Sequence, residues 1–160
     1  LESWAIEIYV SLLDETTCQY DTDDTNNTIG LNQSATNGYD EGLDIVDPPS
    51  LGCLRFYFDH EEWEHWAGDY FTSDYMPSGF YSTYNDRVSW NATIDNESGS
   101  RSRVGVSFNP LIDFDAFYEV IVDGYSYSFT GDVELVFLME ADQESSIIIN
   151  VWNVCEQTIY

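Results

Sequence analysis

The feature that most constrains the fold is a strict two-residue alternation near the start of the chain. Within residues 4–12, WAIEIYVSL, every second position is apolar and the positions between them are mixed. A period of two is typical of a β-strand that buries one face. The apolar face consists of Trp4, Ile6, Ile8, Val10 and Leu12.

The remainder of the chain also favours β-structure. No helical apolar period of any length occurs, apart from a short turn within 60–67. Asp123-Gly124 is a favoured two-residue hairpin turn within a strand pair at 117–130. Eight or so strands with little helix predict an all-β fold, an antiparallel, jelly-roll-like β-sandwich. The other strand patterns lie at 53–59, 87–94, 103–108, 133–139 and 147–154.

A long acidic connection follows the first strand. Residues 13–50 show no clear period and are rich in Asp, Asn, Thr and Gly. Since a long structureless loop is uncommon in a compact domain, we expect this connection to dock or to bind something. The expected organisation is an N-terminal extended strand in 1–15, an acidic connection in 16–50 and the sandwich in 51–160.

The charge is extreme. The chain has 30 Asp and Glu residues against 4 Lys and Arg, with a formal net charge of −26. This charge would repel nucleic-acid phosphates and anionic membranes, so we expect neither as a partner. Aromatic residues make up 16% of the chain, which argues against a disordered acidic tail and for a real core under an acidic surface.

Several features favour an extracellular protein. The chain opens at Leu1, which suggests a removed leader, and has no apolar run long enough to span a bilayer. Four N-x-S/T sequons predict covalent glycans on an outer surface. Their acceptors are Asn26, Asn32, Asn91 and Asn96. For Asn91, the alternation predicts a position opposite the apolar face of its strand.

The three cysteines fit a secreted chain. Cys18, Cys53 and Cys155 have no CxxC spacing, so a zinc site is not expected. We predict that Cys155 is oxidised with Cys53 or Cys18 as its partner, which leaves one odd thiol. The alternatives are a single intermolecular bridge, or thiols that are buried and free.

The sequence predicts no enzyme. HEEWEH at 60–65 resembles the zinc-protease motif HExxH, but its histidines are five positions apart and do not share a helix face. No GxSxG motif occurs, and only four arginines are available for phosphate: Arg55, Arg87, Arg101 and Arg103. No cofactor is required, although Ca²⁺ would suit the carboxylates of Asp40, Asp44 and Asp47, or those at 21–24.

The segment ATNGYDEGLDIVDPP, at 35–49, followed by LRFYFDHEEW resembles a pattern in β-sandwich domains of secreted and cell-surface bacterial and archaeal proteins. In that pattern A-T-D-G-x-D-x-G-x-D-x-x-x-P-P precedes a strand with alternating aromatics, and Asn37 stands here where Asp is usual. The resemblance runs from Ala35 through Trp63 and implies an extracellular β-sandwich. We call residues 35–49 the strap, and expect Tyr39, Leu43 and Ile45 to dock it on the sandwich.

More loosely, the architecture resembles subunits of glycosylated extracellular filaments that are joined by strand donation. The first functional hypothesis is therefore a structural subunit that donates residues 4–12 to a neighbouring copy. The alternative is a carbohydrate-binding or calcium-stabilised adhesion module, with polysaccharide as its partner. Its aromatic platform would be Trp63, Trp66, Tyr70, Phe71 and Tyr75.

Overall fold

The all-β prediction is confirmed by the computed structural model. It describes residues 4–14, 17–48, 52–77, 87–111 and 117–152. In the described residues the helical structure is a 3₁₀ turn at Glu61–Trp63, and no helix has the length and apolarity that a bilayer crossing requires. The strands are β1 (Trp4–Leu12), β2 (Asp23–Asn32), β3 (Ile45–Val46), β4 (Leu54–Asp59), β5 (Tyr70–Pro77), β6 (Arg87–Asn96), β7 (Ser102–Pro110), β8 (Phe117–Val122), β9 (Tyr125–Thr130), β10 (Val133–Met139) and β11 (Glu144–Trp152).

The strands form a mixed, strongly curled sheet. Its order is β10-β7-β1-β2-β5-β4-β6-β11-β8-β9, and β3 pairs with β5 beside this path. Strand β4 joins the two halves, because it pairs with β5 through its end and with β6 through its start. The expected purely antiparallel arrangement needs correction: β2 and β5 run parallel.

The alternation in residues 4–12 has the predicted effect. All five apolar side chains of β1 are buried, and those of Ile6, Ile8 and Val10 have no exposed surface. Trp4 meets Trp90 of β6 edge to face, with ring centroids 5.8 Å apart. Since burying an aliphatic side chain of this size contributes about 1.5–3 kcal/mol, β1 is a major part of the core.

Part of the acidic connection forms a strand that the sequence analysis did not identify. Residues 23–32 form β2, a ten-residue strand inside the sheet. The buried face of β2 combines Ile29 and Leu31 with Asn27, whose exposed fraction is zero. Asn27 Nδ2 donates to Ile8 O at 3.3 Å. Because Asn27 is polar, the alternation of apolar and polar residues in β2 is not visible in the sequence. Both β1 and β2 belong to the same sheet as the strands of region 51–160.

The strap docks as predicted over the part that the structure describes, residues 35–48. Tyr39 and Val46 pack against the core, and β3 pairs with β5. Ile45 was expected to dock, but it is 53% exposed. Because successive side chains of a strand point to opposite faces, the neighbouring Val46 points inward in place of Ile45.

Candidate functional site

The first strand fills a groove between β2 and β7. β1 pairs antiparallel with β2, from Trp4 opposite Leu31 onward. On its other side it pairs antiparallel with β7, ending with Leu12 opposite Val104. The sheet order places no other strand between β2 and β7 among the described residues. We call this space the β1 groove; the donor-strand residues of the sequence analysis lie in it, within their own chain.

The β1 groove fits its strand closely. Gly30 of β2 lies opposite Ala5 of β1. A Cβ atom on Gly30 would stand 2.6 Å from Cε1 of Tyr75, far inside van der Waals contact. Glycine is therefore required for β2 to approach both β1 and the tyrosine ring.

The end of β1 is held by polar contacts. Leu13 N donates to Arg103 O at 2.9 Å. In return Arg103 N donates to Asp14 Oδ2 at 2.7 Å, and Arg103 Nη2 donates to Asp14 Oδ1 at 2.8 Å. These bonds from Arg103 lower the pKa of Asp14. The pair fixes the register of β1 against β7 at the exit of the groove.

A disulfide anchors the chain just beyond that exit. Cys18 bonds to Cys53, with a Cα–Cα distance of 6.1 Å. Cys53 N also donates to Asp21 O at 2.8 Å. The predicted pairing of Cys155 with one of these cysteines is therefore corrected, because the two are bonded to each other; Cys155 itself lies outside the described residues.

The three strap aspartates nominated for calcium bind protein donors in the structure. Asp40 accepts bonds from Thr36 N and Oγ1, at 2.7 and 2.9 Å. Asp44 accepts from Asp40 N at 2.7 Å and from Tyr75 N at 2.8 Å. The third, Asp47, is paired with Arg55 Nε at 2.7 Å. Within the described ranges, no group of three His, Cys, Asp or Glu side chains is placed to hold a metal ion; calcium binding stays a prediction.

Asp44 is the acid that ties the strap to the sheet. Its side chain is 2% exposed, and burial raises its pKa to about 6 against the lowering effect of the two backbone donors. The charges of Asp74 and Asp40 act in the same direction as burial. Asp44 therefore holds the strap through hydrogen bonds at the cost of an unfavourable ionisation near neutral pH.

His60 lies between two carboxylates. Its Nε2 is 2.5 Å from Asp74 Oδ2, and its Nδ1 is 2.6 Å from Glu62 Oε1. Burial opposes the charged form, but the hydrogen bonds and charges of Asp74 and Glu62 outweigh it and raise the pKa of His60. The ring stacks on Trp63 at 3.6 Å between centroids. Because only an imidazolium donates from both nitrogens, the charged form fits this site and fastens the 3₁₀ turn to β5.

The five aromatic residues nominated as a carbohydrate platform do not share one exposed face. Phe71 is fully buried, and Trp63 packs against it with centroids 4.8 Å apart. Tyr75 is partly buried beneath Gly30. Tyr70 is 36% exposed and packs on Tyr57. Only Trp66 stands out into solvent among these five, with 92% of its surface exposed.

The four sequons differ in their surroundings. Asn91 is exposed, on the face of β6 opposite its buried residues, as predicted. Asn26 is exposed in a bulge of β2 with a positive φ of 68°, and Asn32 is partly buried. Asn96 is corrected: its exposed fraction is zero, and its Nδ2 donates to Ser100 O at 2.9 Å and Glu140 O at 3.0 Å. Since a glycan is attached to this nitrogen, the folded chain leaves no room for one on Asn96.

Two contacts that matter to the site were missed in the sequence. The Asp14–Arg103 pair had only a general signal: with four basic residues against thirty acids, an arginine is expected near some carboxylate, but the sequence does not say which one. The His60–Asp74 pair had none, since its members are 14 positions apart in segments without a shared pattern.

No protein-family model, curated protein or solved structure matches this chain. Its function is therefore inferred from its own geometry. Among the features described, the β1 groove is the one in which the most contacts fit a single occupant. The groove buries one face of β1, contains a glycine that allows the close approach of β2, and has an ion pair at its exit.

Proposed function

We propose that this chain is a structural subunit of an extracellular, glycosylated surface filament, in which β1 of one copy fills the β1 groove of a neighbour. Strand donation of this kind links each subunit to the next without a separate adaptor. The chain's own β1 then marks the position that the donated strand takes.

The observation that carries the proposal is that β1 is an inner strand of the sheet, paired along both of its edges and with one fully buried face. Its removal would separate β2 from β7 along almost their full length. A groove of this kind accepts the same strand from a second copy, with the same backbone pairing and the same apolar face, which is what exchange between copies requires.

The disulfide limits how far a donated strand can reach. Cys18 is anchored to Cys53, and six residue steps separate it from Leu12. At about 3.3–3.6 Å for each step, an extended chain spans about 20 Å. Two neighbouring copies must therefore bring the exit of one groove within about 20 Å of Cys18 of the other, and the subunits of the filament pack closely.

Three further features support the extracellular part of the proposal. The disulfide is typical of an oxidising compartment. Asn26 and Asn91 present exposed sequons. The net charge of −26 keeps the outer surface strongly hydrated.

A cysteine cross-link across the β1 groove tests donation in the full chain. Tyr9 of β1 and Ser107 of β7 are opposite each other in the sheet. In a background with Cys155→Ala, one population of copies carries Tyr9→Cys and a second carries Ser107→Cys. After the two are mixed and oxidised, donation gives a covalent dimer on a non-reducing gel, because the two thiols then meet in one groove.

A matched pair in the other half of the sheet controls for random oxidation. Thr93 and Ser146 are opposite each other on β6 and β11, away from the groove. Copies carrying Thr93→Cys and copies carrying Ser146→Cys should not cross-link when mixed. If the groove pair gives no more dimer than this control under conditions of assembly, β1 stays in its own chain and the proposal is wrong.

Carbohydrate binding is the second candidate, favoured by the single observation that Trp66 is 92% exposed beside the ring of His65. An exposed indole offers a flat face to a sugar ring. Calorimetric titration with soluble polysaccharides tests it, with Trp66→Ala expected to abolish binding. Tyr20→Ala is the control, because Tyr20 is also an exposed aromatic residue, at 64%. Equal binding by both variants would exclude Trp66 as the platform.

A further inference from the structure

The two end strands of the sheet, β10 and β9, differ in how far their inner faces are buried. At one end, the inner-face residues Val133, Leu135 and Phe137 of β10 pack against the core. At the other end, β9 pairs with β8 on one side, and no described strand pairs with its other side. Within the part of the chain that the structure describes, the backbone N–H and C=O groups on this edge of β9 therefore have no strand partner.

The inner face of β9 extends beyond the core. Tyr125 and Tyr127 lie opposite Val122 and Val120, which are 5% and 1% exposed. Residues directly opposite in an antiparallel pair share a face, so these tyrosines point to the core side of the sheet. They are nevertheless 71% and 42% exposed. Aromatic residues on the core side of an edge strand, with no layer over them, are typical of a sheet that another strand continues.

The charge pattern identifies the partner. Residues 125–130, YSYSFT, carry no charged side chain in a chain with a net charge of −26. A basic partner would be attracted by carboxylates at the contact, and their removal would weaken its binding. An edge without carboxylates removes the repulsion that would otherwise keep an acidic partner away, and a second copy of this chain is such a partner.

We propose that the edge of β9 pairs antiparallel with β9 of a second copy. This contact is separate from the β1 groove and does not depend on strand donation. It continues the sheet across a two-fold axis and joins Tyr125 and Tyr127 of both copies into one aromatic strip. The acids nearest to the contact, Asp123 and Asp132, flank the strand at its two ends, so Asp123 of one copy approaches Asp132 of the other in an antiparallel pair. Glu119 lies one strand further in and accepts a bond from Ser126 Oγ at 2.6 Å.

Sedimentation velocity of the full chain, as a function of protein concentration and salt, tests this contact. Raising NaCl from about 0.1 M to about 1 M shortens the screening length from about 10 Å to about 3 Å. We expect association to strengthen with salt, because the flanking acids then repel less. Loss of Tyr127 should weaken dimerisation about tenfold or more, as is usual for a tyrosine at the centre of a contact.

The decisive variant is Tyr127→Lys. It makes each copy less negative, so a general charge effect would strengthen association, whereas the proposed contact is lost. Asn37→Lys is the matched control, since Asn37 is an exposed, uncharged strap residue away from β9. Circular dichroism confirms that both variants are folded.

A covalent readout separates this contact from any other. In a Cys155→Ala background, copies that carry Ser126→Cys are mixed with copies that carry Ser128→Cys. When Tyr127 of one copy lies opposite Tyr127 of the other, these two thiols are opposite each other, and oxidation should give a covalent dimer of the two variants. A wild-type chain that stays monomeric at high salt, an unchanged affinity in Tyr127→Lys, or the absence of this covalent dimer would each overturn the proposal.

Discussion

Removing the Cys18–Cys53 disulfide should lower the free energy of unfolding by about 4 kcal/mol. The two cysteines are 35 positions apart. For a loop of that length, the chain-entropy model gives a loss of about 13 cal/mol/K in the unfolded state, or about 4 kcal/mol at 25 °C. For a chain of this size we expect the melting temperature to fall by about 8–16 °C.

The substitution that isolates this effect is Cys18→Ala with Cys53→Ala. Alanine suits the fully buried position of Cys53, and it keeps the backbone bonds from Cys53 N to Asp21 O and from Glu97 N to Cys53 O. The variant and its reference both carry Cys155→Ala, so that no third thiol can exchange. Urea unfolding, followed by tryptophan fluorescence, gives the free energy and its dependence on denaturant for each protein.

A loss below about 1 kcal/mol with unchanged denaturant dependence would refute the reasoning, because the unfolded loop would then not be constrained by the bond. Peptide mapping checks the pairing itself. Proteases that cut at acidic residues suit this chain better than trypsin, since it has four basic residues against thirty acidic ones. A bond from Cys155 to either of the other cysteines would contradict the structure directly.

The remaining predictions concern modification, pH and backbone packing. In glycosylated native material, Asn91 should carry a glycan and Asn96 none, which glycopeptide mass spectrometry would show. The pKa of Asp44 and that of Asp95 are each raised to about 6 by burial, so the native state binds protons more tightly than the unfolded chain. Urea unfolding from pH 3 to pH 7.5 should show this stability fully present below about pH 4 and lost as the pH rises through about 6. For Asp44, whose pKa rises from 3.8 to about 6, the loss is about 3 kcal/mol, and Asp44→Asn should give a flatter profile. Gly30→Ala should destabilise by about 1–3 kcal/mol or more in the same assay, because its Cβ would collide with the backbone oxygen of Trp4 and with the ring of Tyr75.

The sequence predicted strands well wherever one face is purely apolar. Strands β1 and β10 were predicted with the bounds that the structure shows, and the turn at Asp123-Gly124 joins β8 to β9 as expected. In such strands burial alone decides the register, because a shift by one residue would expose the whole apolar set.

Two of the strands that were missed, β2 and β5, contain buried polar residues. In β5, Ser73 is 4% exposed and Asp74 is 1% exposed. Ser73 Oγ donates to Leu43 O at 2.7 Å and accepts from Ile45 N at 3.0 Å. These partners belong to the strap, about thirty positions away. The burial of Ser73 is therefore explained only by its hydrogen bonds to the strap. A local reading of the sequence cannot supply that contact.

Among the candidate sites, too, those that depend on a local alternation could be predicted, and those that depend on distant contacts could not. The face of Asn91 followed from the alternation in β6, and the same alternation also places Asn96 on the buried side, since both Trp90 and Asn96 are at even positions. The sequon alone said nothing of that face. Ion ligation by the strap could not be judged from composition, because a carboxylate that accepts backbone N–H groups has the same sequence signature as one that faces a cation.

Several acidic residues of this chain have a structural role as hydrogen-bond acceptors for backbone N–H groups. With thirty carboxylates and four basic side chains, ion pairs can satisfy only a few of them. The structure uses backbone N–H groups in place of the missing cations, and such bonds to a charged acceptor are stronger than neutral ones. They close the exit of the β1 groove and fix the strap, so the acids direct the chain path as well as coating the surface. Aspartates that accept backbone N–H groups include Asp14, Asp24, Asp40, Asp44, Asp59 and Asp123.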